Sequence, residues 1–401
     1  MPRIDELIER LGTARYISTL DLTKGYWQVP LAPEAREKTA FATPDGLFHY
    51  RKLPFGLHGA PPTFQRLMDR VLRPHRGYAA AYIDDIVIHG SEWDTHVKQV
   101  SAVLQALREA GLTANPKKCQ LGLQEAEYLG YTIGRGCVKP QMKKVEAIQD
   151  WPRPLTKKQV RTFVGLTSYY RRFIPHFASI ASPLTDLTRD RLPAQVTWTE
   201  ETEKAFQDLK SALCSGPVLV TPDFTKPMVV QTDASETGVG AVLSQLHEGE
   251  EHPIIYISRK LLQREQKYST VEKECLAIKW ALETLKYYLL GRHFTLVTDH
   301  APLVWVSRNK DSNARVTRWF LSLQPFAFSV VHRSGAAHGN ADALSRRDAL
   351  GSWTAPPSRS ELRGRVCGRR QGGVVIEGRY VAACWLHPQA LQGLPPLTMQ
   401  A

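Results

Sequence analysis

The run Ala79-Ala80-Ala81-Tyr82-Ile83-Asp84-Asp85-Ile86-Val87-Ile88-His89-Gly90 places two adjacent carboxylates inside an otherwise apolar stretch. Burying one unpaired carboxylate costs several kcal/mol, and two side by side also repel each other, so a cation should compensate them. Divalent metal is the natural choice, since Mg²⁺ takes a few carboxylates together with substrate phosphates. The plainer alternative is a solvent-exposed β-turn that merely uses Asp, although a bare turn does not need apolar flanks this long. A third acid, Asp21, closes the run Tyr16-Ile17-Ser18-Thr19-Leu20-Asp21. Three such acids match a two-metal phosphoryl-transfer site, with metals about 4 Å apart clamping the attacking and leaving oxygens.

The surrounding pattern supplies elements to position them. The 79–90 run predicts a buried hairpin with the acids at its tip. Tyr16–Asp21 predicts a strand whose end can face that tip across a sheet. Ile4, Leu7, Ile8 and Leu11 form a helical stripe ended at Gly12. Pro61 and Pro62 open a helix running through Met68 and packing behind the sheet. From Trp93 to Gly111 a helix presents Val97, Val100, Val103, Leu104 and Leu107 on one face.

Tyr82-Ile83-Asp84-Asp85 resembles the Y-x-D-D box of reverse transcriptases. Pro2-Arg3-Ile4-Asp5-Glu6-Leu7, Leu20-Asp21-Leu22-Thr23-Lys24-Gly25-Tyr26-Trp27-Gln28 and Leu53-Pro54-Phe55-Gly56-Leu57 are similar to the polymerase pattern of gypsy-type (Ty3/gypsy) LTR retrotransposon Pol polyproteins, and the resemblance runs to about Arg347. It implies that Asp21 and Asp84 bind both of two Mg²⁺ ions, with Mn²⁺ as an alternative, and that Asp85 supports one. The ions would serve the primer 3′-hydroxyl and the incoming deoxynucleoside triphosphate. Tyr26 takes the place of an aromatic under the nucleotide sugar, where a ribose 2′-hydroxyl would clash; by itself it reads equally as a half-buried core tyrosine. Phe55 and Gly56 would lie near the templating base, although Pro and Gly there also mark a plain loop. Tyr82 joins the same substrate-binding set. Tyr128–Ile133 resembles the primer-grip hairpin, contributing Leu129, Gly130 and Tyr131, with a short turn expected at Gly134-Arg135-Gly136. In the family a basic fingers region precedes this segment, so weak nucleotide binding and weakened polymerase activity are expected of a chain that begins after it.

Residues 139–172 hold nine Lys and Arg (Lys139, Lys143, Lys144, Arg153, Lys157, Lys158, Arg161, Arg171, Arg172) against Glu146 and Asp150, interleaved with Trp151, Phe163, Tyr169 and Tyr170. Such a stretch suits a phosphate-tracking surface for a duplex and equally a solvated basic helix face. Gln159–Phe173 resembles the family's thumb and connection, and the Pro, Thr and Arg-rich segment 183–197 reads as a connector.

A second set of acids follows. Residues 224–346 read as three hairpin-linked strands, then helix-separated parallel strands, which gives a mixed sheet flanked by helices. This order resembles the ribonuclease H fold. Asp233 follows the first strand, Glu274 lies along the edge of the Val271/Cys275/Ile278/Leu282/Leu285 helix face, Asp299 ends the fourth strand, and Asp342 opens the last helix. Four acids at one sheet edge point to two Mg²⁺ ions acting on an RNA phosphodiester, although singly each reads as a cap or a surface charge. His332 or His338 stands as a candidate for product release.

Lys and Arg number 52 against 39 Asp and Glu, a net charge of +13, which favours a polyanionic partner and nucleic acid before membrane. The six cysteines show no C-x-x-C spacing, so free thiols in a reducing compartment are expected. No signal peptide or membrane-length apolar run is evident, and a cytoplasmic or nuclear protein is expected. The expected architecture is an α+β and α/β multidomain chain: a reverse transcriptase palm lacking fingers (1–138), a thumb and connection (139–215), a ribonuclease H-like five-stranded mixed sheet flanked by helices (216–346), and a disordered basic tail (347–401) without an integrase-type zinc motif. The expected partners are an RNA/DNA hybrid, an RNA template with a DNA primer, and deoxynucleoside triphosphates. A non-catalytic relic, or a host-recruited nucleic-acid-binding protein, is the rival reading.

Overall fold

The computed structural model describes residues 1–12, 14–247, 249–298 and 314–332. They fall into two compact units, one spanning Met1–Val138 and one beginning at Lys139.

In the first unit a helix at Ile4–Gly12 precedes strand β1 (Tyr16–Asp21). A small ribbon of β2 (Phe41–Thr43) and β3 (Gly46–Phe48) follows, then β4 (Ala79–Tyr82), β5 (Asp85–Gly90) and β6 (Gln120–Leu123). The sheet runs β4-β5-β1-β6, antiparallel throughout. Helices at Ala60–Val71 and Trp93–Glu109 share its core. Phe64 and Met68, one turn apart, meet Val100, Val103 and Leu107 over Ile86 and Ile88. Val87, on the opposite side of β5, is buried as well. Cover on both faces explains the unbroken apolar run around the acids, where a half-exposed strand would alternate.

The Trp93–Glu109 helix also buries a group its apolar stripe did not disclose. His96 packs inward, its Nε2 2.7 Å from the Ser18 hydroxyl. Burial pushes His96 down to about 4, and burial, then Arg10 and His96, push His89 down to about 4. The unfolded chain takes up these protons near pH 6.5, whereas the folded chain does not, so stability is lost as pH falls from about 6.5 toward 4. Urea unfolding at pH 7 and pH 5 should show a lower midpoint at pH 5.

Beyond β6, β7 (Glu125–Tyr128) and β8 (Tyr131–Gly134) form a hairpin, and β9 (Cys137–Pro140) lies beside β8. The stretch 128–133 thus contains the hairpin's own turn. Its turn is Leu129-Gly130, both with positive φ (47° and 77°), as a tight two-residue hairpin loop requires. Gly134–Gly136 makes the next turn, into β9.

The second unit opens with helices at Met142–Gln149, Lys157–Tyr169 and Glu200–Cys214. Phe163 and Phe206 pack in its core with ring centroids 4.6 Å apart and planes tilted by 49°. This placement corrects part of the basic-surface expectation. Phe163 and Tyr170 are core residues, and Arg172 is only 6% exposed. Arg171 donates to the Ser258 carbonyl, Lys157 to the Arg189 carbonyl, and Arg161 pairs with Asp190. Arg153 lies over the Trp198 ring and beside Glu203. Lys143, Lys144 and Lys158 are exposed. The patterning signalled positive charge but not that Arg172 would turn into the core, while the other contacts are made by side chains at the surface.

After the short strand β10 (Leu219–Val220) comes a five-stranded sheet of β11 (Met228–Ala234), β12 (Gly238–His247), β13 (Glu250–Lys260), β14 (His293–Thr298) and β15 (Ala327–His332). Its order is β13-β12-β11-β14-β15, with β12 antiparallel to its neighbours and β14 parallel to both β11 and β15. The helix Thr270–Thr284 packs on β11, and a short helix Lys286–Leu289 continues after a break at Leu285. Ile278, Leu282, Val230, Leu296 and Phe294 form the core between them. The fold is thus mixed α/β. The 347–401 stretch lies outside the described residues.

Candidate active site

Three acids converge at one end of the first-unit sheet. Asp85 opens β5 and stands directly opposite Asp21, the last residue of β1. Asp84 lies in the two-residue turn between Tyr82 and Asp85, and its carbonyl accepts the Leu22 amide at 3.1 Å. Ile83, the other turn residue, has φ 57°, a left-handed conformation that costs a non-glycine residue about 1–2 kcal/mol. An ideal Cβ on Gly25 would come within 3.1 Å of the Asp84 Cβ and 3.2 Å of the Phe64 ring, so any larger residue here would press on the acid-bearing turn by a few tenths of an ångström.

Lys118 was not singled out by sequence patterning. Its Nζ lies 3.1 Å from Asp21 Oδ2, although the two residues are 97 apart in the chain. Burial, then the neighbouring Asp84 and Asp21 charges, raise Asp85 from 3.8 to about 6, with Lys118 partly offsetting them. Because the folded state retains a proton that the unfolded state has released, this group's favourable contribution is present below about pH 4 and lost as pH rises through about 6. Asp85→Asn should therefore stabilise the protein at pH 7.5 by about 1–2 kcal/mol, discounted for partial exposure, and hardly at all at pH 4. Paired urea titrations at the two pH values measure this.

Tyr26 borders the acids. Its ring lies 5.6 Å from Phe64 and 5.1 Å from Phe55, and burial followed by the Asp84 and Tyr82 charges raises its hydroxyl above the usual value. Phe55 is 62% exposed beside Trp27, and Gly56 follows with φ 93°. Together they give the acids an open aromatic rim. The primer-grip-like hairpin of Leu129, Gly130 and Tyr131 is anchored through its neighbour Tyr128, whose hydroxyl donates to the Asp85 carbonyl at 3.3 Å.

In the second unit Asp233 (4% exposed) lies on β11 and Glu274 (2% exposed) on the helix packed against it. The turn after Asp233 is tied to that helix by Lys273, whose ammonium meets Glu236 at 2.8 Å. Ser269 caps the helix by accepting the Glu272 amide, fixing the turn that precedes Glu274. Asp299, His338 and Asp342 lie outside the described residues, as does the side chain of His332, which ends β15.

Carboxylates are hard oxygen donors that suit Mg²⁺. Burial, and after it the charges of Asp84 and Asp21, raises Asp85; a divalent cation would relieve that charge crowding, so the chemistry of Asp21, Asp84 and Asp85 suits such an ion. Among the described residues no three His, Cys, Asp or Glu side chains are gathered closely enough to hold a metal ion as they stand. That is compatible with Mg²⁺, which commonly completes its shell with water and substrate phosphate.

Comparison with known proteins agrees with this geometry. Residues 1–133 match the family described as reverse transcriptase (RNA-dependent DNA polymerase), and residues 223–326 match the RNase H-like domain found in reverse transcriptase. The chain is 41% identical over 359 residues to the retrovirus-related Pol polyprotein from transposon opus of Drosophila melanogaster, covering 86% of this chain and 36% of the relative. It is 39% identical over 372 residues to that from transposon gypsy of the same organism, covering 89% and 35%. Among solved structures, the foamy viral protease-reverse transcriptase in complex with dsDNA aligns with TM-score 0.72 at 25% identity, over 84% of this chain and 71% of that one. The same protein in complex with RNA/DNA hybrid gives 0.70 at 24% identity, over 83% and 46%. The chain thus carries the paired domains of a reverse transcriptase. Its curated relatives are retrovirus-related Pol polyproteins of transposons, and the chain spans about a third of their length. Among the described residues no helix is long and apolar enough to cross a membrane.

Proposed function

We propose that this chain cleaves the RNA strand of RNA/DNA hybrids at Asp233 and Glu274, with Asp299 and Asp342, and extends DNA primers on RNA templates at Asp21, Asp84 and Asp85. The observation that carries this reading is the direct cross-strand pairing of Asp21 with Asp85 beside Asp84, in a chain whose second unit buries Asp233 and Glu274 on packed elements. Divalent ions held by these carboxylates would supply charge stabilisation for the attacking and leaving oxygens of phosphoryl transfer. Lys118 holds Asp21 and partly neutralises the cluster before any substrate arrives. Tyr26 and Phe55 offer an aromatic surface beside the acids for the sugar and the templating base, and the Leu129–Tyr131 turn would face the primer. A purely nucleic-acid-binding role would use the basic residues of 139–172, most of which keep their charge at the surface, and it leaves the paired acids of the first unit without a task.

End-labelled RNA annealed to DNA, and a DNA primer on an RNA template, should be cut and extended respectively in Mg²⁺. EDTA should stop both reactions. Salt-sensitive hybrid binding that survives EDTA, with neither reaction, would support the non-catalytic rival.

A further inference from the structure

Gln65 is a polar side chain in an apolar core, 2% exposed on the Ala60–Val71 helix. Its amide is engaged with the hairpin that carries Asp84 and Asp85. Oε1 accepts the Ile83 N–H at 2.8 Å. Nε2 donates to the Ala81 carbonyl at 3.0 Å and to Asp69 Oδ1 at 3.0 Å, the latter orienting the carboxamide. The two backbone contacts straddle Tyr82, one on the strand and one at the first residue of the turn.

That first turn residue is the strained one. Ile83 has φ 57°, at a hairpin position where glycine is preferred, and its side chain packs against the first-unit core. A branched residue does not hold this conformation unaided; the surroundings must over-determine it. On the other side of the turn, a Cβ at Gly25 would sit 3.1 Å from the Asp84 Cβ, so this neighbour leaves the tip little more than the space of one carbon.

We propose that Gln65 is the positioning residue of the Asp21/Asp84/Asp85 cluster: its buried carboxamide clamps the left-handed turn at Ile83 and so fixes where Asp84 and Asp85 present their oxygens. The proposal rests on the reading of those acids as the metal-binding set. Sequence patterning does not reveal it, since a glutamine after Phe64 reads as one more polar position on an amphipathic helix.

Gln65→Met conserves length and volume but can neither accept nor donate. In the full chain it should speed amide exchange at Ile83 about tenfold and weaken Mn²⁺ binding, read by paramagnetic resonance, by a similar factor. In primer extension the metal concentration at half-maximal rate should rise with it, while KM for the primer-template stays unchanged. Ile83→Gly provides the discriminating background, because glycine adopts positive φ without strain. There, Gln65→Met should change metal binding no more than about twofold. Unchanged exchange and metal affinity in Gln65→Met would overturn the proposal, as would an equal effect in both backgrounds. Exchange and Mn²⁺ binding need no turnover. A wild-type chain that binds metal but extends no primer would therefore count against the polymerase reading alone, and one that binds no metal at the cluster would overturn both.

Discussion

Asp233→Asn should reduce cleavage of an RNA/DNA hybrid by about a thousandfold or more while leaving the protein folded. The substitution is nearly isosteric, and Asp233 is buried on β11, so little packing is disturbed. What is lost is one negative charge from the metal-binding set, and a metal-ligand charge is worth several kcal/mol at the transition state, where about 1.4 kcal/mol is tenfold in rate. Removing a charge from a buried acidic site relieves repulsion, so thermal stability should hold or rise. That combination separates a catalytic loss from simple unfolding. Glu274→Gln should give a loss of similar size. The double variant should be little worse than either single one, because residues acting as one unit are strongly non-additive. Cleavage of labelled RNA beside a melting curve for each variant measures both quantities. Equal cleavage by wild type and Asp233→Asn would remove the nuclease assignment.

Asp84→Asn should abolish primer extension to a comparable degree, again about a thousandfold, and leave hybrid cleavage within about twofold of wild type. Asp84 occupies the turn itself, close enough to Gly25 that a Cβ there would sit 3.1 Å from its own. The asparagine fits the same space but carries no charge for a cation. Asp85 lies opposite Asp21 and already holds its proton more tightly than an ordinary carboxyl; Asp85→Asn should therefore lose less than Asp84→Asn while gaining stability. A loss confined to extension for Asp84→Asn, mirrored by a loss confined to cleavage for Asp233→Asn, would assign one chemistry to each unit. Loss of both reactions in either folded variant would argue against that division.

Much of this was legible in the chain because it is local. An acid at the end of a β-branched run is a strand-end acid whatever surrounds it. This property placed Asp21 at the end of β1, Asp84 and Asp85 at a hairpin, and Asp233 just after a strand that in the fold runs on through it as β11. Periodicity likewise placed Glu274 on a helix whose apolar face meets the sheet. Tertiary structure decided which polar groups turn inward and what they meet there. Lys118 reaches Asp21 across 97 residues, and Gln65 reaches Ile83 across 18. Arg172, Phe163 and Tyr170 leave the expected binding surface for the interior, and His96 joins an apolar face that its residue type does not announce. The turn at Leu129-Gly130 follows the same logic, since strand pairing on both sides forces a leucine to positive φ. Sequence fixes the type and order of a side chain's chemistry within a few residues; whether a charge faces water, another charge or a backbone carbonyl depends on the packing of segments far apart in the chain, and only the folded structure sets that.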